Sequence, residues 1–523
     1  MTAETTGSAK TPHVIEPGSL DTSISRQLNS DEPNGQPPAS KRIGTVSLAL
    51  MIIAASAPLT VLAGGVSSNY AVTGLLGVPL SFLILGVVLA LFAVGYAALS
   101  ARVRTAGAFY AYVARGLGRV TGVSAAWVAL LAYNAMQVGI YGMFGFASAD
   151  TFNALFSIDV PWWVYALAGW VIVGILGVNS VDLSAKVLGI LVVIEFIIVI
   201  IYDIFAVVDA PAGLSAEGFQ FGDFFAPGVG AVLAFSMAAF MGFESGSVYV
   251  EEVKDPENTV RRATFGAVIA VAIFYAISAW AMIMALTPEN TVAEAGEQGP
   301  GVVFSLLGAH VPNFLVVFAQ VMFVTSLIAA LISFHNVVAR YLRTLAREGA
   351  MPKFLAISLG RGQAPALGSI CQSSIALAVL IVFAVVGSGS EDPVMFPVLT
   401  LFTWLTNLGS YGLIALMAVT SFAAMAYLGT NARDLSMWTR FVAPLLAGLS
   451  LSGIVVLIIT NFSFLVGISE TSPLNWILPG LVVLAALFGG IWAAWLRSAH
   501  PERYLKLGGG EAAEFEWRTS TQE

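Results

Sequence analysis

The chain has 523 residues, of which 58% are hydrophobic and only 10% are charged, against about 25% charged in an ordinary soluble domain. A chain so poor in charge does not cover itself with a water-compatible surface, and its net charge of −8 points away from a nucleic-acid partner. The single cysteine, Cys371, excludes an intramolecular disulfide, and four histidines without ligand spacing argue against a zinc site.

Residues 1–40 are polar and rich in Ser, Thr, Pro and Asp, with no apolar core. They read as a disordered tail rather than a signal peptide. From Lys41 onward, apolar stretches long enough to cross a bilayer, roughly 20 residues each, recur through the chain. The alternating ~10-residue segments of a transmembrane barrel are not found. Twelve spans are expected, near 43–66, 75–99, 121–148, 161–178, 185–208, 223–250, 262–287, 312–342, 366–387, 397–426, 440–460 and 475–496. A membrane domain over 41–497 and a polar C-terminal tail over 498–523 follow.

Charge tests that count, because Lys and Arg concentrate in cytoplasmic loops. With a cytoplasmic N-terminus, the inner loops carry Arg102, Arg104, Arg115 and Arg119, then Lys254, Arg261 and Arg262. Further on they carry Arg340, Arg343, Arg347, Lys353 and Arg361, then Arg433 and Arg440. The outer loops hold Asp150, Asp159, Asp209, Glu217, Glu289, Glu294, Glu297, Glu391, Asp392 and Glu470, and no Lys or Arg. An even number of spans with both termini cytoplasmic is therefore expected. Thr105 to Leu117 is too short and too amphipathic to span, and reads as an interfacial or re-entrant helix. The acidic loop from Thr287 to Val311 is placed to cap an outer vestibule.

Two spans read as internally broken. The first, IIAASAPLTVLAGG, has Pro58 within small residues, and proline removes an intrahelical hydrogen bond. The sixth, FSMAAFMGFESGSVYVEE, sets Gly242 and Glu244 in an apolar run. Unwound backbone at membrane depth survives only where it lines a cavity or is buried in protein. Paired broken spans in two halves of a chain mark the central site of a transporter, although Gly and Pro are also common in ordinary membrane helices.

Intramembrane ionisable groups are costly and are functional candidates by default. They are Glu244, in the sixth-span break, and Glu195, in the run ILVVIEFIIVII of span five. A carboxylate removed from water takes up a proton or pairs with a cation, as ion coupling requires, or bonds a neighbouring helix and holds packing. Lys186 reads as a snorkelling interfacial residue. In span three, Tyr133, Gln137 and Tyr141 share a helical face, which either lines a substrate path or bonds other helices. Thr325, Ser326 and Ser333 offer hydroxyls in span eight, for an ion, a substrate or packing.

Three stretches together resemble the amino acid–polyamine–organocation superfamily of permeases. They are GFESGSVYVEEVKDPENTVRRA after span six, RYLRTLAREGAMPKF at the exit of span eight, and FAVGYAALSARVRTAGAFYAYVARGLG between spans two and three. With the span count, the likeness covers roughly residues 41–497. It implies an all-α membrane protein with a LeuT-like fold: two inverted repeats of five helices, two peripheral helices, and breaks in spans one and six. It places the substrate against Ala55, Ser56, Ala57, Pro58 and Thr60, with Phe240 as an aromatic gate and Gly242 and Glu244 in the opposite break. Tyr133 and Gln137 flank that site. Glu195 falls where proton-dependent members often carry a lysine. Glu195, Glu244, Ser326 and Ser333 are thus the candidates for ion coupling. This chain has Ser56-Ala57-Pro58 where the family often has Gly-x-Gly.

The resulting expectation is secondary active transport of an amino acid or related amine, by proton symport, with exchange or sodium coupling as alternatives. No G-x-x-x-x-G-K-S/T run is present, so ATP hydrolysis is not expected, nor is a cofactor. A membrane enzyme would want His/Asp or metal clusters, and a channel a continuous pore; neither fits broken helices around a titratable carboxylate. A sensor built like a transporter is a further class, set apart by ligand binding without accumulation. The apolar residues Phe240, Met241 and Phe243 favour a neutral substrate. The partners expected are that solute, its coupling proton or sodium ion, and membrane lipid.

Overall fold

In the computed structural model, the residues described are 44–54, 56–103, 108–179, 185–244, 253, 256–357, 365–467 and 471–509. Every described residue belongs to one compact unit, Ile43–Glu523. The expected N-terminal tail, Ala55, and the stretch after Glu244 (Val253 apart) up to Pro256 lie outside the described residues.

Regular structure among the described residues is helical, as an apolar solvent requires, because helices satisfy their backbone polar groups internally. In chain order the main helices are α1 (Thr45–Ala54), α2 (Ser67–Thr73), α3 (Val78–Arg102), α4 (Ala108–Leu117), α5 (Arg119–Phe156) and α6 (Trp162–Val178). There follow α7 (Ala185–Val208), α8 (Val229–Ala238), α9 (Pro256–Leu286), α10 (Thr291–Gln298), α11 (Gly301–His310) and α12 (Asn313–Arg347). The last four are α13 (Ala366–Gly387), α14 (Thr403–Asn431), α15 (Ala443–Thr460) and α16 (Leu474–Ala499). Among the described residues, nine helices are long and apolar enough to cross a membrane, and they fall on nine of the twelve expected spans. The other three expectations fall on α6, which is 17 residues long, and on two helices that stop partway.

The first of these stops is at Ala54. The chain turns through Ser56 and Ala57, and a π-helical stretch, Thr60–Val66, then leads into α2. Ala57 has φ +48°, a left-handed conformation rare for a residue with a Cβ and costly unless its surroundings impose it. Pro58 follows at the start of the resumed helix, where its missing N–H costs nothing. The second stop is at Ala238, the end of α8, after which the chain turns through Gly242 at φ +101°, a value glycine adopts without strain.

Two expectations about connections are refined. The short helix α4 is not a surface element: Phe109, Tyr110, Tyr112 and Val113 are buried, packed between α5 and α14. The acidic loop after α9 folds into α10 and α11, which cover α2 and α7 respectively. Residues 500–509, after α16, also take a defined course. They dock on α4 through the Arg115 guanidinium, which donates to the Gly508 carbonyl at 3.1 Å, and on the start of α5 through Arg119, which donates to the Leu507 carbonyl at 3.1 Å.

Candidate functional site

The restart of the first helix sets the geometry. The first turn of a helix leaves backbone N–H groups without partners. Here the Leu59 N–H donates to Glu195 Oε2 at 3.2 Å, across from α7. Ser326 Oγ, on α12, donates to the same oxygen at 3.0 Å, and Thr60 Oγ1 lies 3.0 Å from Ser326 Oγ. Glu195 is 3% exposed. A carboxylate at a helix N-terminus meets the positive end of the helix dipole and free N–H donors, the arrangement that favours an anion. Two elements, the restarted first helix and α12, thus close on one carboxylate of α7.

On the other flank of the same break, Ser56 Oγ donates to the Ile53 carbonyl at 2.7 Å and lies 2.9 Å from the Tyr275 hydroxyl of α9. The break is therefore fixed from α7, α9 and α12 at once.

The turn after α8 holds the second carboxylate. The Gly242 N–H donates to Glu244 Oε2 at 2.9 Å, and the Tyr133 hydroxyl of α5 donates to Glu244 Oε1 at 2.7 Å. Around it, Phe92, Tyr96, Phe109, Tyr112 and Phe243 form a continuous set of ring contacts with centroids 5.1–6.5 Å apart. Such offset and edge contacts are favourable and fill space without voids.

Between the two breaks lies a cavity of about 60 Å³. Its walls include Ser56, Ala57 and Thr60 of the first break, Met241 after α8, Phe334 of α12 and Thr406 of α14. At roughly 10–15 Å³ for one water-sized group, it has room for about four to six such groups. Its lining is largely apolar with a few convergent hydroxyls, the usual make-up of a small-molecule pocket. Among the described residues, no group of His, Cys, Asp and Glu side chains is arranged to hold a metal ion.

The candidates taken from the sequence separate into distinct places. Ser56, Ala57, Thr60 and, beside them, Glu195 and Ser326 stand together at the first break. Tyr133, Gly242 and Glu244 stand together at the second. Phe240 does not line the cavity; it packs on Phe82 with ring centroids 6.1 Å apart, and Phe82 lines the cavity in its place. Gln137 faces away, into a buried cluster where its Nε2 lies 3.3 Å from His335 Nδ1 and its Oε1 accepts from Gln372. The cavity wall on α5 is formed by Met136 and Ile140 instead. Ser333 lies on the exposed flank of α12, and the side chain of Lys186 falls outside the described residues.

Several lining groups gave no signal in the sequence. Asn69 donates to Ser236 Oγ at 3.1 Å and to the Val232 carbonyl at 3.3 Å, tying α2 to α8. Thr406 reaches the cavity while bonding its own helix at the Phe402 carbonyl. Tyr275 has an ordinary apolar context in the sequence, and only the fold brings its hydroxyl to Ser56.

A family model described as amino acid permease matches residues 43–487. Among curated proteins, the chain is 28% identical over 300 residues to an L-asparagine permease of Salmonella typhimurium, covering 54% of this chain and 56% of that one. It is 29% identical over 196 residues to a probable GABA permease of Pseudomonas aeruginosa, covering 35% and 40%. These matches span about half the length of the curated relatives or less. A crystal structure of a mutant manganese transporter of Eremococcus coleocola superposes with a TM-score of 0.54 at 15% identity, covering 88% of this chain and 96% of that one. At that identity the likeness shows a shared fold alone.

Proposed function

The chain belongs to the amino acid permease family, and on that premise we propose that it is a secondary active transporter moving an amino acid across the plasma membrane with a proton. The observation that carries the proposal is the Glu195 carboxylate at the restart of the first helix, held by the Leu59 N–H and the Ser326 hydroxyl. A titratable group bonded to an unwound segment beside a cavity links the protonation of one to the conformation of the other.

The proposed architecture has twelve crossings in two inverted repeats of five plus two peripheral helices, with both termini cytoplasmic. The nine long helices, α6 and the two interrupted spans support that count. The segregation of Lys and Arg supports the orientation. The substrate occupies the cavity between the breaks, its charged ends against main-chain groups near Ala57 and the hydroxyls of Ser56, Thr60 and Thr406. A small cavity with mostly apolar walls favours a small neutral amino acid over a dicationic polyamine. Glu244, held by Tyr133, serves as the coupling point on the far side.

The oxygen cluster of Glu195, Ser326 and Thr60 supports sodium as the alternative ion, since hard cations take oxygen ligands. The test is uptake by the purified protein in liposomes, with a panel of radiolabelled amino acids in sodium-free buffer. Accumulation that requires an inward proton gradient supports the proposal. Flux seen only against preloaded solute indicates exchange, and uptake that appears only with sodium assigns the oxygen cluster to that ion.

A further inference from the structure

Eight residues beyond Glu195 on α7 stands a second acidic side chain in an apolar segment, Asp203. Its Oδ2 accepts a hydrogen bond from Ser278 Oγ of α9 at 2.8 Å, while its Oδ1 is buried without a partner. The hydroxyl of its neighbour Tyr202 is likewise buried without a partner, with Tyr70 of α2 close by. An unpaired buried polar atom is costly, and an intramembrane acid is rare unless it is used.

The surroundings of Asp203 are without cations. Residues 187–253 and 263–339 contain no Lys or Arg. On α9 the titratable group near Ser278 is Tyr275, while Glu257, Arg261 and Arg262 stand in its first two turns, about 24 Å or more along the helix from Ser278 at 1.5 Å per residue; α1 brings none; α2 brings Tyr70. From α11 comes His310, already paired with Asp209 at 2.5 Å. From α12 comes His335, which is bonded to Ser369 at 2.6 Å; the arginines of α12 lie at its opposite end. On α7 itself there are Glu195, Tyr202 and Lys186, the last near the helix start. Asp203 therefore has no ion-pair partner that would make it a structural salt bridge.

What it has is a connection. Ser278 and Tyr275 are three residues apart on α9 and share a face. Ser278 bonds Asp203, and the Tyr275 hydroxyl bonds Ser56 at the first break, near enough to Glu195 to feel its charge. Along α7 the two acids are about 12 Å apart at 1.5 Å per residue, too far for direct contact. Asp203 lies about 9 Å from Asp209 on the same scale, on the side covered by α11.

We propose that Asp203 is a second proton-carrying residue, loading Glu195 from the outer face through the hydroxyls of α9. Only a proton moves: Asp203 takes it from water at the outer side, passes it toward Glu195 and returns to the carboxylate. The proposal rests on the proton-coupled reading given above.

The test uses the wild type, Asp203→Asn and Asp203→Glu in liposomes. The probe is whichever radiolabelled amino acid the wild type accumulates most under an inward proton gradient, and a pH dye inside reports proton entry. In Asp203→Asn, gradient-driven accumulation and dye response are expected to fall about tenfold. Counterflow exchange at equal pH should stay within about twofold, because it needs no net proton. Asp203→Glu restores accumulation. Asp203→Asn accumulating like the wild type overturns the proposal, as does loss of exchange and accumulation together, which is the mark of a packing role. A wild type without gradient-driven accumulation overturns the proton-coupled reading first and this proposal with it.

Discussion

Glu195 accepts a hydrogen bond from the backbone of Leu59 at 3.2 Å, across 136 residues of chain. The bond joins the middle of one membrane helix to the restart of another, and its acceptor is the only part that titrates. Any gain or loss of a proton there changes the strength of a bond that fixes the unwound segment beside the cavity.

Replacing Glu195 with Gln retains an acceptor for Leu59 but removes the titration. The variant is expected to insert and to melt within a few degrees of the wild type. Its gradient-driven accumulation should fall by about tenfold or more, and the dependence of uptake on external pH should flatten. Liposome uptake across a pH series checks this, and a full wild-type profile would return Glu195 to a packing role.

For Glu244 the expected result is different. Tyr133→Phe removes the hydroxyl that donates to Oε1 and leaves the ring in place. Removing one partner of a buried hydrogen bond costs about 1–3 kcal/mol. Initial uptake rates should drop several-fold while counterflow persists; equal rates in both assays would separate the pair from transport.

Gln137 gives a contrasting case. It bonds His335 and Gln372 behind α5 and does not line the cavity. Gln137→Leu leaves those groups unpaired at about 1–3 kcal/mol, so thermal stability in detergent should fall. Substrate affinity of the surviving protein should change by less than about twofold. A large loss of affinity with unchanged stability would move Gln137 back to the substrate site.

The pair at the surface, His310 and Asp209, predicts a pH response of α11. His310 Nδ1 donates to the Leu306 carbonyl at 2.9 Å, and Nε2 faces Asp209 at 2.5 Å. The Leu306 carbonyl is the largest cause lifting the His310 pKa above the ordinary histidine value; burial comes next and opposes it, and Asp209 adds to the rise. A raised folded-state pKa means the contribution is complete below the ordinary value and is lost as pH rises through the elevated one. Hydrogen-exchange protection in 301–310, taken relative to the intrinsic exchange rate at each pH, should therefore be greater at about pH 5.5 than at about pH 8.5, and His310→Ala should erase that difference in protection.

The helices were legible in the sequence because lipid imposes one simple rule: long apolar runs must be helical. The interruption at Pro58 and the unusual placing of Glu195 within an apolar span were legible for the same reason, since both break that rule. Direction within a helix was not. Gln137 and Met136 are adjacent in sequence, and in an all-apolar setting hydropathy does not say which faces the cavity; packing of His335 and Gln372 decided it. Phe240 is the same problem: hydropathy does not say that its ring packs on Phe82 rather than lining the cavity. Tyr275 and Asn69 became visible only through contacts between elements far apart in the chain.

The docked segment at 501–509 has a consequence for the time course of biosynthesis. The Gly508 N–H donates to Glu348 Oε2 at 2.8 Å, and the Tyr110 hydroxyl donates to the same oxygen at 2.5 Å. Gly508 sits at φ +72°, where an added Cβ would come within 2.4 Å of the Ala114 Cβ. Glu348 is 7% exposed. While the chain is being made, Tyr110, Arg115, Arg119 and Glu348 all leave the ribosome before Gly508 does, at some 5–20 residues per second. For that interval a buried carboxylate waits without one of its donors. The face built by α4 and the end of α12 is thus completed only after the whole of the last long helix has been synthesised, so its closure reports that the full bundle has been made.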